Sequence, residues 1–68
     1  MKAVSGKEMC RILERRGWVK VRVHGAHHVY KKAGVRNHIA VPVHGNAALP
    51  TGTQASIMRD AGLTDADL

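Results

Sequence analysis

The spacing of apolar positions changes character at Gly17. Before it, Met9, Ile12 and Leu13 recur at intervals of three and four, the mark of one helical face. Lys7, Arg11, Glu14 and Arg15 take the other side. Ser5 and Glu8 have the S-x-x-E spacing of a capping box, in which each side chain satisfies the other residue's free N–H. Val4 and Met9 occupy the positions of a hydrophobic staple, and Gly17 suits the left-handed residue that closes a helix. These signals predict a helix over Ser5–Gly17.

From Trp18 to His24 the period becomes two, with Val19, Val21 and Val23 alternating with Lys20, Arg22 and His24. That is the pattern of a half-buried strand. Gly25-Ala26 suits a two-residue hairpin turn of type II′, which wants glycine first. His27–Lys32 is the second strand, Ala33–Arg36 a turn around Gly34, and Asn37–Val43 the third strand. Pro42 falls near the end of that strand, where a missing N–H is tolerable at a sheet edge. After a loop over His44–Pro50, Thr51 and Gln54 repeat the capping-box spacing and open a helix that Gly62 closes. Ile57 and Ala61 supply its buried stripe, with Met58 nearby. Thr64 and Asp67 repeat the spacing once more near Leu68.

The order αβββα predicts an α+β fold over 1–68 as one domain: a three-stranded antiparallel sheet with both helices on one face. The two turns also set the register. A two-residue turn pairs His24 with His27, and a four-residue turn pairs Lys32 with Asn37. The inner face is then Val19, Val21, Val23, His28, Tyr30, Ile39, Val41 and Val43. The outer face is Trp18, Lys20, Arg22, His24, His27, Val29, Lys31, His38 and Ala40. A slip of one residue exchanges the faces.

Charge narrows the partners. Eleven Lys and Arg face five Asp and Glu, a formal net charge of +6. Such an excess attracts polyanions: nucleic acid first, then an anionic membrane surface or an acidic protein. A chain of 68 residues leaves little room for an enclosed cofactor pocket. The lone Cys10 offers no internal disulfide, and neither an apolar leader core nor a span of about 20 apolar residues is visible. A cytoplasmic location without membrane attachment is the expectation.

Five histidines are the main candidate chemistry: His24, His27, His28, His38 and His44. RNA is cleaved without metal when a base activates the 2′-OH and an acid protonates the leaving 5′-oxygen, and imidazole titrates in the right range for both. His27, beside a tight turn with Lys20, Arg22 and Lys31 on the same expected face, meets those needs. The plainer reading is an exposed strand-end histidine with no role. His24, His27 and His38 sharing one face is the one arrangement that could hold zinc, but no metal-binding helix motif accompanies them. His28 alternates toward the core, which leaves the second proton carrier open. The turn before the second helix, Leu49–Thr53, offers free N–H groups to an anion, as every helix start does. Trp18 could stack a base or anchor the core.

Ser5-Gly6-Lys7-Glu8, Gly17-Trp18, Gly25-Ala26-His27-His28-Val29-Tyr30-Lys31, Val41-Pro42-Val43-His44-Gly45-Asn46, Gly52-Thr53 and Ala61-Gly62-Leu63, in that order, resemble the HicA toxins from about Val4 to Leu63. The resemblance implies a fold like the double-stranded-RNA-binding domain. It implies a histidine-dependent endoribonuclease that cleaves mRNA, and a HicB-type antitoxin that binds the toxin and blocks its catalytic face; the residue pattern adds the expectation of no cofactor and no metal. His27 occupies the family's Gly-Ser-His or Gly-Gly-His position, with Ala26 in place of the serine or glycine. His44 matches a further family position as a supporting residue, beside His24. Lys20, Arg22, Lys31, Lys7 and Arg11 are the expected RNA contacts. The other readings are a module that binds structured RNA without cutting it and a protein-interaction domain with an acidic partner.

Overall fold

A computed structural model describes residues Met1–Leu68. Its order is helix α1 (Gly6–Arg15), strands β1 (Val19–His24), β2 (His27–Lys31) and β3 (Ile39–Pro42), helix α2 (Thr51–Ala61) and a 3₁₀ turn over Asp65–Asp67. The strands form one antiparallel sheet in the order β1-β2-β3.

The first helix starts and stops where its local chemistry predicts. Ser5 is the N-cap, its hydroxyl accepts from the Glu8 N–H, and the Glu8 carboxylate accepts from the Ser5 N–H, both at 3.1 Å. Gly17 takes a φ of +91°, a conformation costly for any residue with a Cβ. Met9, Ile12 and Leu13 bury against Tyr30, Ile39 and Val41 of the sheet and Ile57 and Met58 of α2, in one core that also holds Val4, Trp18, Leu49 and Leu63. Tyr30, Ile39 and Val41 share one face of the sheet, so both helices lie on that face. Val29 points the other way and is absent from that core although buried.

The second helix departs from expectation at its start. Pro50 is the N-cap, and no Thr51–Gln54 capping box forms. Gln54 is instead buried, its amide facing the segment before α1. Gly62 closes the helix in the left-handed conformation, as expected. The Thr64–Asp67 box does form, and Arg16 binds Asp67 at 2.6 Å, tying the last turn to the end of α1.

Both hairpin registers match the sequence reading from the β1–β2 turn outward: His24 pairs with His27, Val23 with His28, Val29 with Ala40 and Tyr30 with Ile39. Gly25 has a φ of +60° and Ala26 has no positive φ, which fits a type II′ turn. The face assignment fails in the first half of β1. A bulge between Lys20 and Arg22 shifts the register, pairing Lys20 with Tyr30 and Val19 with Lys31. Ahead of the bulge the faces are therefore exchanged. Trp18 goes into the core at 3 % exposure, and Lys20 follows it to the helix face. Val19, Val21 and Val23, all expected inside, are 62 %, 48 % and 55 % exposed.

The cause is competition for one interior position. Trp18 directly precedes Val19, the first residue of β1, and in extended chain the two cannot both face the helices. An indole buries roughly 150–250 Å², several kcal/mol of transfer free energy and far more than a valine. The bulge lets the indole win while the distal half of β1 keeps the register set by the turn.

Candidate active site

The β1–β2 turn presents two imidazoles on one face. His24 and His27 are direct cross-strand partners on either side of Gly25-Ala26, and both are exposed. Directly opposed residues have Cβ atoms about 4.5–5.5 Å apart, so the two rings can approach one small group from two sides. A side chain at Gly25 would meet nothing within 4 Å, so the approach to the turn is open. Along the same outer face, Arg22 stands opposite Val29 and Lys31 opposite Val19. All five carboxylate side chains lie in helical segments: Glu8 and Glu14 on α1, Asp60 on α2, and Asp65 and Asp67 in the last turn. The strands contain none, so the cations of the outer face have no carboxylate on their own or adjacent strands.

His44 lies in the loop after β3. The Val43 N–H donates to the Ala26 carbonyl at 2.7 Å, so the chain leading to His44 runs beside the turn. His38 sits elsewhere. It precedes Ile39, which pairs with Tyr30 three residues along β2 from His27, a separation of roughly 10 Å at the rise of a strand. His24, His27 and His38, the one arrangement that could have held zinc, do not converge, and no three His, Cys, Asp or Glu side chains come together as metal ligands do.

The expected cation set divides in two. Arg22 and Lys31 stay with His27. Lys20, turned over by the bulge, lines a groove of about 240 Å³ on the helix side with Lys7, Cys10, Arg11, Glu14 and His28. Lys7 and Arg11 therefore belong with Lys20 and not with the His27 face. His28 is half-buried there, its Nδ1 4.0 Å from the Cys10 sulfur. Under the groove the Tyr30 hydroxyl donates to Glu14 at 2.5 Å. Burial of the Tyr30 phenol, reinforced by Cys10 and Glu14 beside it, pushes its pKa above the ordinary tyrosine value.

Two further readings resolve. Trp18 anchors the core and offers no face to a base; its indole N–H has no hydrogen-bond partner. The start of α2 opens onto a cleft of about 350 Å³ beside β3 whose charged lining is Asp60, with no Lys or Arg. His38 is the one basic side chain of that cleft, so an anion at the helix terminus meets no Lys or Arg. Unbroken alternation does not predict the Lys20 grouping, because it puts Lys20 on the outer face. The signal available was the indole at position 18 adjoining a valine that alternation also sends inward.

None of the curated proteins compared matches the chain. A family model, described as the HicA toxin of bacterial toxin–antitoxin systems, matches residues 6–63.

Proposed function

The chain belongs to the HicA toxin family of bacterial toxin–antitoxin systems, and on that premise we propose that it is an endoribonuclease that cleaves mRNA in the cytoplasm, with His27 as its principal catalytic residue. The observation that carries this reading is the His24–His27 pair on a cationic face whose strands lack carboxylates.

One imidazole takes the proton of the ribose 2′-OH. The 2′-oxygen attacks phosphorus, the bond from phosphorus to the 5′-oxygen breaks, and the second imidazole, protonated, gives its proton to that oxygen. The products carry a 2′,3′-cyclic phosphate and a 5′-OH. His27 and His24 supply the two rings. Arg22 and Lys31 stabilise the charge that builds on the phosphorus oxygens, and His44 supports the turn from its flank. No cofactor takes part. A HicB-type antitoxin holds the toxin inactive by covering this face.

The test is RNA incubated with purified protein in excess chelator, wild type against His27→Ala. Cleavage by the wild type with cyclic-phosphate ends, lost at least a hundredfold in the variant, is the expected result. Equal cleavage by both proteins removes His27 from the mechanism.

A second reading is favoured by the groove, whose Lys7, Arg11 and Lys20 lie on the opposite face of the sheet from His27. A module that only holds structured RNA would use such cations. It would retain RNA intact, with affinity falling steeply as salt rises.

A further inference from the structure

β1 is an edge strand, paired only with β2, and all six of its residues are exposed. Three of the four large exposed apolar residues of the whole chain, Val19, Val21 and Val23, lie on it. They do not form a face. Val23 shares the helix side of the sheet with His28, Val19 shares the outer side with Lys31, and Val21 sits in the bulge between them. What the three have in common is the strand's open edge. An apolar surface that wraps an edge fits an extended chain laid alongside it, because that chain's alternate side chains reach both sides while its backbone satisfies the free N–H and C=O groups.

The other edge is unlike it. β3 has four residues, and one of them, Pro42, lacks an N–H.

Charge selects the occupant. Lys20, Arg22 and His24 alternate with the valines, and β1 has no carboxylate. A second copy of this chain paired antiparallel along the regular part of the edge sets Arg22 against Arg22 or His24, basic side chain against basic side chain, which is unfavourable for directly opposed groups. A strand of alternating apolar and acidic residues meets Val23 with an apolar side chain on one side of the sheet and Arg22 and His24 with carboxylates on the other. Family membership supplies a protein partner for the chain, its antitoxin. We propose that the open edge of β1 is the docking site of that antitoxin, which adds an acidic, apolar-alternating strand to the sheet. The bulge interrupts the edge at Val21, so the added strand pairs regularly along Arg22–His24 and continues over the valines at and before the bulge. This seats the partner beside the turn that carries His27. The inference rests on the family and not on the nuclease reading.

The experiment is amide hydrogen exchange on the purified chain, free and bound to its cognate antitoxin. A synthetic strand alternating Val and Glu serves as a second probe, and the same strand with Lys for Glu as its control. β1 amides should exchange at least tenfold more slowly with the antitoxin and with the Glu strand, and at the free-protein rate with the Lys strand. The double variant Val21→Thr/Val23→Thr, altered only at exposed positions, should keep its circular dichroism spectrum and its rate on RNA while losing antitoxin affinity about tenfold. Protection confined to β3 or the helices, undiminished affinity of the double variant, or equal binding of the Glu and Lys strands overturns the proposal. So does a dimer of the free chain that protects β1. A chain that binds antitoxin through β1 but cuts no RNA leaves this docking intact and removes only the nuclease reading.

Discussion

Gln54 holds Val4 across fifty residues of chain: its side-chain carbonyl accepts from the buried Val4 N–H at 3.1 Å, while its amide nitrogen donates to the Lys2 carbonyl at 2.6 Å. The amide thus fastens the segment before α1 to α2, next to the bridge between Ser5 and Ala48. Gln54→Leu fills nearly the same volume but leaves the Val4 N–H buried without a partner. The expected cost is about 1–3 kcal/mol, read as a lower urea midpoint with an unchanged m-value. A midpoint equal to wild type would show that water or a shifted backbone replaces the amide.

Gly6 abuts β3 so closely that a Cβ there would lie 2.2 Å from the Pro42 carbonyl oxygen and 3.0 Å from the Val43 Cα. Helix propensity favours Gly6→Ala, by up to about 1 kcal/mol. The clash is with backbone, which cannot swing aside as a side-chain tip does, so the sign reverses. The variant should lose about 1–3 kcal/mol to overpacking, with a drop in Tm of several degrees in thermal unfolding. A rise in Tm would mean that α1 slides away from β3 at no cost.

Much of this architecture is legible in the sequence because its causes are local. The Ser5–Glu8 box, the Gly25-Ala26 turn and the closing Gly62 each depend on a few adjacent residues, and the two turns carry the register outward as far as Arg22 and Ile39. The bulge is different in kind. It arises because Trp18 displaces Val19 from the core, a comparison of burial between neighbours that strict alternation does not make. The same limit applies to Gln54, whose amide is drawn away from its own helix start by Val4 and Lys2. The candidate site divides along this line: His24 and His27 follow from the turn, whereas the placement of Lys20 depends on the core.

Stability should fall at both ends of the pH scale, for different groups. Glu8 is held below its ordinary pKa of 4.5, chiefly by the Ser5 N–H and then by the Ser5 hydroxyl. Asp67 is held below its ordinary value of 3.8, chiefly by the Thr64 N–H and then by Arg16. A depressed folded-state pKa contributes stability that is complete above the unfolded value and is lost as pH falls through the folded one. Tyr30 has the opposite sign. Its pKa is raised, so its contribution is complete below the ordinary value of 10.0 and declines as pH rises past it. Urea midpoints measured from pH 2 to 11 should decline below about pH 4.5 and again above about pH 10. In Tyr30→Phe the alkaline decline should flatten. If it persists unchanged, the phenol is not its cause.

The division of cations between the two faces separates binding from chemistry. Arg22 and Lys31 share the outer face with His27, whereas Lys7, Arg11 and Lys20 line the groove behind the sheet. A cation that meets charge developing on the reacting phosphate should act on kcat, because that charge is greatest in the transition state. A cation that only holds a distant phosphate binds ground and transition states alike and should act on KM. Arg22→Gln or Lys31→Gln is therefore expected to lower kcat tenfold or more on a long RNA. Lys20→Gln should raise KM severalfold, leave kcat within about twofold, and flatten the slope of log affinity against log salt by about one. All these residues are charged and exposed, so the variants should fold normally. Had β1 been regular, Lys20 would stand beside Arg22 on the His27 face and would share its kcat effect. A Lys20→Gln variant whose kcat falls as far as that of Arg22→Gln would place both residues at the reacting phosphate and contradict the facing that the bulge imposes.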